Sequence, residues 1–212
     1  MTQAPLTLYA ETKHTSPYVM AVFVALHEKA LPFDLKLIDL SAREQDNANY
    51  AATSMTRRVP TLVHGDFSLS ESSAICEYLE ESFPAPQHPA IYPTSVRERA
   101  RARQVQAWIR SDLMPIRHER STETVFYPAT VQPLSAEARA AAAKLYAAAD
   151  ALLPAGARHL CGEWCIADTD LAMMLMRLVH HGDDVPERLA SYARAQWQRP
   201  AVQKWLQLPR AR

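Results

Sequence analysis

The sequence predicts an α/β unit followed by an all-α unit. Three observations carry that prediction. Residues 5–40 run as a short apolar stretch, a segment with helical apolar spacing, and a second stretch that alternates apolar and polar residues. His64-Gly65-Asp66 stands between two short apolar runs, the composition of a hairpin turn. Four prolines fall within residues 84–93, and everything after them has the spacing of helices.

The elements follow in order. "PLTLYA" (5–10) is a strand. In "SPYVMAVFVALHEKAL" (16–31), Val19, Val22, Phe23 and Leu26 fall on one helical face, and Ser16-Pro17 reads as N-cap and first helical position. "PFDLKLIDL" (32–40) alternates Phe33, Leu35 and Leu37 with Asp34 and Lys36, as a half-buried strand does. Strand, helix and strand within about 35 residues imply a right-handed parallel crossover. Residues 41–56 are polar and mixed, a short irregular helix. The hairpin follows, and from Glu71 the residues Ala74, Ile75, Tyr78 and Leu79 resume helical spacing. The first unit is therefore β-α-β-α-β-β-α over residues 1–83, with a stiff linker at 84–94. Residues 95–212 form the helical unit, with helices at 95–116, 135–153, 167–182, 186–196 and 199–207 and a long polar irregular segment at 117–134. The segment Leu171–Val179 is almost wholly apolar, which marks a helix buried on all sides.

Bulk composition narrows the function. Lys plus Arg and Asp plus Glu number 23 each, so the basic excess of a nucleic-acid binder is missing. No apolar run approaches the ~20 residues of a membrane span. The start, "MTQAPLTLYAETKH", lacks the basic and apolar regions of a signal peptide. Cys76, Cys161 and Cys165 are odd in number and show no CxxC spacing. A cytoplasmic protein with reduced thiols and no bound metal is expected.

"RVPTLVHGDFSLSESSAICEYLEESFP" carries a resemblance. Its Val-Pro-x-Leu, followed by Leu-x-Glu-Ser-x-Ala-Ile-x-x-Tyr-Leu, resembles the N-terminal, thioredoxin-like domain of cytosolic glutathione S-transferases. "CGEWCIADTDLAM" is similar to the start of that family's central core helix. The chain looks most like a bacterial, YfcF-like subgroup of the family. The resemblance implies a thioredoxin-like domain before a helical bundle domain, glutathione as co-substrate, a small hydrophobic electrophile or peroxide as its partner in reaction, and a homodimer.

The site residues follow from the same resemblance. A cis Val59-Pro60 bond would leave the Val59 main chain open to pair with the cysteinyl backbone of glutathione. Glu71 and Ser72, at the start of the third helix, would hold the γ-glutamyl ammonium and carboxylate. A helix N-terminus suits a carboxylate, and a carboxylate side chain matches an ammonium. Read alone, Ser-Glu-Ser-Ser is also an ordinary helix cap. Ser16 occupies the place where some related classes carry cysteine. It would donate to the thiolate or serve as an N-cap, with Tyr9, Thr15 and Tyr18 as competing donors. His14, a loop histidine, is expected at the surface. Arg58, beside Arg57, and Lys36 are candidates for the glycyl carboxylate. Trp108, Met114, Phe126 and Tyr127 are candidates for an apolar wall around the electrophile, or plain core. Asp168 is expected to be structural, with Cys165 replacing the usual hydroxyl of the capping box and so weakening it. Two other readings stay open: a non-enzymatic interaction module on the same scaffold, and a thiol-disulfide oxidoreductase. Serine at position 16 argues against the latter.

Overall fold

The structure, a computed structural model, describes residues 4–210. The outermost positions of the expected domain ranges, 1–3 and 211–212, lie outside the described residues. The chain divides into two compact units, one running up to Ile91 and taking in the segment from Ala201 onward, the other spanning Tyr92–Pro200.

In the first unit the order is β1 (Leu6–Glu11), α1 (Pro17–Glu28), β2 (Asp34–Ile38), a 3-10 turn at Glu44–Asp46, α2 (Ala48–Thr53), β3 (Thr61–His64), β4 (Phe67–Ser70) and α3 (Ser72–Ser82). The sheet order is β2-β1-β3-β4, with β1 and β2 parallel and the other pairs antiparallel. This is the thioredoxin-like plan the sequence implied. Every residue from Val19 to Leu26 is buried, so α1 hides its whole girth and not one stripe. β2 is an edge strand, and Leu37 stays exposed there.

The second unit comprises α4 (Val96–Ser111), α5 (Met114–Glu119), α6 (Thr122–Phe126), α7 (Ala136–Leu152), α8 (Ile166–Val179) and α9 (Glu187–Trp197). α8 is its axis, packed by α4, α5, α6 and α9. Among the described residues, no helix is long and apolar enough to cross a membrane.

Four expectations differ from what is found. The helix expected over 95–116 breaks at Asp112–Leu113, where Leu113 takes a left-handed φ of 60° and Pro115 follows in the first turn of α5. A proline suits a helix start and not an interior. The segment 117–134 contains α6, whose one buried residue, Val125, leaves no apolar period to read. The stretch 84–91 is tied down, because buried Lys29 donates to the Pro89 carbonyl at 2.9 Å and Glu80 accepts from the Ile91 N–H at 3.0 Å. The last helix, α10 (Pro200–Leu206), belongs with the first unit and not with the helical one. Its Trp205, fully buried, meets the rings of Phe23 at 5.3 Å and His14 at 5.5 Å, edge to face. Apolar area removed from water at about 25 cal/mol per Å² favours such docking wherever a complementary surface exists, whatever the separation in sequence.

Candidate functional site

Strand register brings the predicted segments to one end of the sheet. β1 and β3 are antiparallel with Tyr9 opposite Thr61, so the loop leaving β1 lies beside the chain entering β3. β3 and β4 are antiparallel with Thr61 opposite Ser70. One step further, Pro60 faces Glu71. The Ser16 loop, Val59-Pro60 and Glu71-Ser72 therefore converge. Each of these segments holds a non-glycine residue with left-handed backbone: His14 at φ 48°, Arg57 at 52° and Glu71 at 73°. Such conformations are costly for residues with a Cβ and collect at binding sites.

The Val59–Pro60 bond is cis. Val59 is half-buried and Pro60 buried. Among the described residues, neither the N–H nor the C=O of Val59 has a hydrogen-bond partner. The neighbouring Arg58 carbonyl, by contrast, is saturated. It accepts from the Tyr50 hydroxyl at 2.7 Å, from Thr61 Oγ1 at 3.0 Å and from Ser54 Oγ at 3.3 Å. Ser54 and Thr61 bond each other at 2.8 Å, and both reach Ser70 Oγ, at 3.0 and 3.2 Å. This buried hydroxyl knot locks the chain before Val59 to the residue before Glu71. Sequence reading missed it because its members are scattered from 50 to 70 among ordinary polar residues. The signal available was a set of hydroxyl residues at the ends of short apolar strands.

Glu71 stands at the N-cap of α3, yet its side chain makes no capping bond and is exposed. The cap reading of this residue is not what the geometry displays. Ser72, the first residue of α3, is 3% exposed.

Ser16 Oγ accepts from the Val19 N–H at 3.3 Å, capping α1 with its side chain. Its hydroxyl proton is not used in that bond, so capping and donating are compatible. The loop around it is held by Glu11, a second residue that sequence reading missed. Glu11 Oε1 accepts from the N–H groups of Thr15 at 2.5 Å and Ser16 at 2.6 Å. Its Oε2 is buried without a partner among the described residues. Burial pushes the Glu11 carboxyl above the usual carboxylate range, against the pull of these N–H donors. An acidic residue ending an apolar strand just before a loop was the visible clue.

His14 corrects the expectation of a surface histidine. It is 2% exposed, and its Nδ1 lies 2.8 Å from the Pro209 carbonyl. Burial lowers its pKa. Of the competing donors, Tyr9 has its ring edge-on to Tyr50 at 5.4 Å, with the Lys36 ammonium 5.7 Å from its ring centroid. Lys36 sits on the edge strand, and the Arg58 side chain is exposed.

The candidates for the apolar wall lie in the second unit. Trp108 on α4 is half-buried and donates from Nε1 to Asp112 at 2.9 Å. Met114 opens α5 and is exposed. Phe126 ends α6 and stacks on Trp197 at 6.4 Å, with half-buried Tyr127 next in the chain. Asp168 has a structural place, and the capping box is complete where Cys165 was expected to weaken it: the Cys165 side chain receives the Asp168 N–H, and Asp168 Oδ2 accepts from the Cys165 N–H at 2.9 Å.

Comparisons with known proteins match both units. Residues 12–87 fit the glutathione S-transferase N-terminal domain model, and residues 95–211 fit the C-terminal domain model of the same name. Mouse glutathione S-transferase theta-3 (Mus musculus) is 38% identical over 88 residues, 42% of this chain and 36% of that protein. The chain thus spans about a third of the length of such curated relatives. A crystal structure of a glutathione transferase homologue from Burkholderia gl BGR1, with bound glutathione, is 46% identical with a TM-score of 0.80, covering 95% of this chain and 96% of that one. A glutathione S-transferase from Rhodospirillum rubrum F11 is 26% identical with a TM-score of 0.73, covering 96% and 93%. The YfcF-like subgroup rests on the sequence resemblance alone. With models for both halves of one family laid along it in the right order, and a solved relative matched over nearly its full length, this chain belongs to the glutathione S-transferase family.

Proposed function

We propose that the chain binds glutathione across the end of its sheet and activates the thiol for attack on small hydrophobic electrophiles, with organic peroxides as further acceptors. The observation that carries this reading is the convergence of an unpaired Val59 main chain, an uncapped Glu71 at a helix start and a Ser16 hydroxyl at a second helix start. The Val59 N–H and C=O pair with the cysteinyl backbone. The first N–H groups of α3 and Ser72 receive the γ-glutamyl carboxylate, and Glu71 meets its ammonium. Arg58 and Lys36 are the cations available to the glycyl carboxylate. Trp108, Met114, Phe126 and Tyr127 supply apolar surface for the electrophile. A cytoplasmic homodimer completes the proposal, by likeness to the family. The thiol-disulfide alternative is disfavoured, since position 16 carries serine and Cys76 is buried within α3.

A free thiol with a pKa near 8.5 is only about 3% ionised at pH 7. A hydroxyl donor and the partial positive charge of a helix start favour the thiolate by about one to two pKa units. Ser16→Ala therefore raises the pKa of bound glutathione by about one unit, and kcat/KM at pH 7 falls about tenfold. The same change removes a cap worth about 1 kcal/mol of stability. Titrating thiolate absorbance in the complex separates the two roles: a stability loss with an unmoved thiol pKa reduces Ser16 to a cap.

Glu71→Ala leaves the ammonium unmatched. Hydrogen bonds to charged groups contribute about 1.5–3 kcal/mol, so the glutathione Kd rises about tenfold to hundredfold. Isothermal titration calorimetry measures it. No heat from the native chain at millimolar glutathione would end the proposal.

A further inference from the structure

One side chain anchors the loop that presents Ser16. Glu11 ends β1, a strand flanked by β2 and β3, and lies opposite Ile38 in the parallel register. Its place is therefore set by the sheet. From there its Oε1 accepts from the Thr15 N–H at 2.5 Å and the Ser16 N–H at 2.6 Å, and its carbonyl accepts from the His14 N–H at 3.2 Å. The carboxyl is buried, and Oε2 has no partner among the described residues. Desolvating such a group costs stability, and the hydrogen bonds it makes to other residues go to the Ser16 loop. The same bonds decide what the start of α1 offers a ligand. Pro17 has no N–H, and the Thr15 and Ser16 N–H groups are engaged by Glu11. The Val19 N–H goes to Ser16 Oγ at 3.3 Å and the Met20 N–H to the Ser16 carbonyl at 3.0 Å. The Ser16 hydroxyl proton takes no part in any of these bonds.

We propose that Glu11 is the positioning residue of the thiol site: by holding the Thr15 and Ser16 N–H groups it sets the backbone from which Ser16 aims its hydroxyl at the glutathione sulfur. This role rests on the reading of Ser16 as the donor to the thiol. Glu11 itself touches no reacting atom. A hydrogen bond weakens steeply as its angle bends, so the direction of the Ser16 hydroxyl matters as much as its presence. Glu11 acts through its acceptor oxygen and not through charge. A negative charge behind the loop would oppose a thiolate, and burial already pushes the Glu11 carboxyl above the usual carboxylate range. The other end of the loop has its own support. His14 Nδ1 lies 2.8 Å from the Pro209 carbonyl, and its ring meets Trp205 edge to face at 5.5 Å. Loss of the Glu11 carboxyl therefore frees the Ser16 end of the loop while the His14 end stays docked. Val59, Glu71 and Ser72, which hold the rest of the tripeptide in the proposed site, are carried by other segments.

The test uses the full chain and glutathione alone, with no electrophile. Calorimetry gives the glutathione Kd, and thiolate absorbance against pH gives the thiol pKa in the complex. Glu11→Ala raises that pKa by about one unit, as far as Ser16→Ala does, and leaves Kd within about threefold. The double variant Glu11→Ala with Ser16→Ala goes no further than either single variant, because both act on one hydroxyl. Glu11→Gln retains an acceptor without the charge and does not raise the thiol pKa. Circular dichroism verifies folding. Where Glu11→Ala does not fold, Glu11→Asp, which withdraws the acceptor by one methylene, carries the same expectation. A Glu11 that serves stability alone lowers the unfolding midpoint and leaves the thiol pKa in place. The proposal is overturned if the thiol pKa ignores Glu11→Ala while responding to Ser16→Ala, if the two effects add, or if Glu11→Gln raises it as far as Glu11→Ala. A native chain that does not bind glutathione, or whose bound thiol ignores Ser16→Ala, ends the reading of the site itself and this role with it.

Discussion

Replacing Lys29 by alanine is expected to lower the unfolding free energy of the first unit by about 3–5 kcal/mol. The Lys29 side chain has no solvent exposure, and its ammonium donates to Glu80 Oε2 at 2.7 Å and to the Pro89 carbonyl at 2.9 Å. Glu80 Oε2 also accepts from the Ile91 N–H at 3.0 Å. The His88 Nδ1 lies 3.1 Å from the Lys29 carbonyl. One buried ion pair therefore fastens the end of α1 to α3 and to the segment 84–91. Lys29→Ala leaves a carboxylate in the core with a single N–H partner, and the desolvation cost of that charge is no longer offset. The double variant Lys29→Met with Glu80→Leu removes both charges and retains apolar volume, so it recovers most of the loss. Chemical denaturation of the native chain, the single variant and the double variant provides the check. A loss below about 1 kcal/mol for Lys29→Ala, the range of exposed pairs, refutes the assignment.

Asp168→Ala is expected to cost at least about 3 kcal/mol, from three donors that each lose a buried acceptor at about 1–3 kcal/mol. Asp168 has no solvent exposure. Its carboxylate accepts from the Leu160 N–H at 2.8 Å, the Cys165 N–H at 2.9 Å and the Tyr192 hydroxyl at 2.7 Å. It joins the chain entering α8 to α9. Asp168→Asn retains one oxygen and loses less. Burial raises the Asp168 pKa above its ordinary value, outweighing the lowering by these donors. A carboxyl that titrates higher when folded contributes fully below its unfolded pKa, and the contribution fades as pH rises through the folded one. The stability gap between the native chain and Asp168→Asn therefore narrows from acid toward neutral pH. Denaturation at a series of pH values measures it, and a gap that widens instead contradicts the burial argument.

Much of the fold was legible because it depends on neighbours in sequence. The alternation in 32–40, the Ser16-Pro17 start of α1, the His64-Gly65-Asp66 turn and the apolar run of α8 each obey a local rule. The motif around Val59-Pro60 and Glu71-Ser72 pointed to the proposed site through its resemblance to a family. The α4–α5 break was harder to read, since Asp112 and Leu113 interrupt an otherwise continuous helical pattern only where Pro115 takes a new start.

By itself, then, the amino-acid order determined most of the helices and strands and that an α/β stretch precedes a helical one, and it pointed to the short motif at the proposed site. Tertiary structure alone decided the partners: Glu11 under the Ser16 loop, the hydroxyl knot behind Val59, Lys29 against Glu80 across 51 positions, and His14 against Pro209 across 195. It also decided that Trp205 packs within the first unit, against Phe23 and His14. The physical reason is that propensity and periodicity act over one or two turns of chain. A buried charge or hydroxyl is satisfied by whatever group the packed core places within about 3 Å, and no local pattern encodes which group that is.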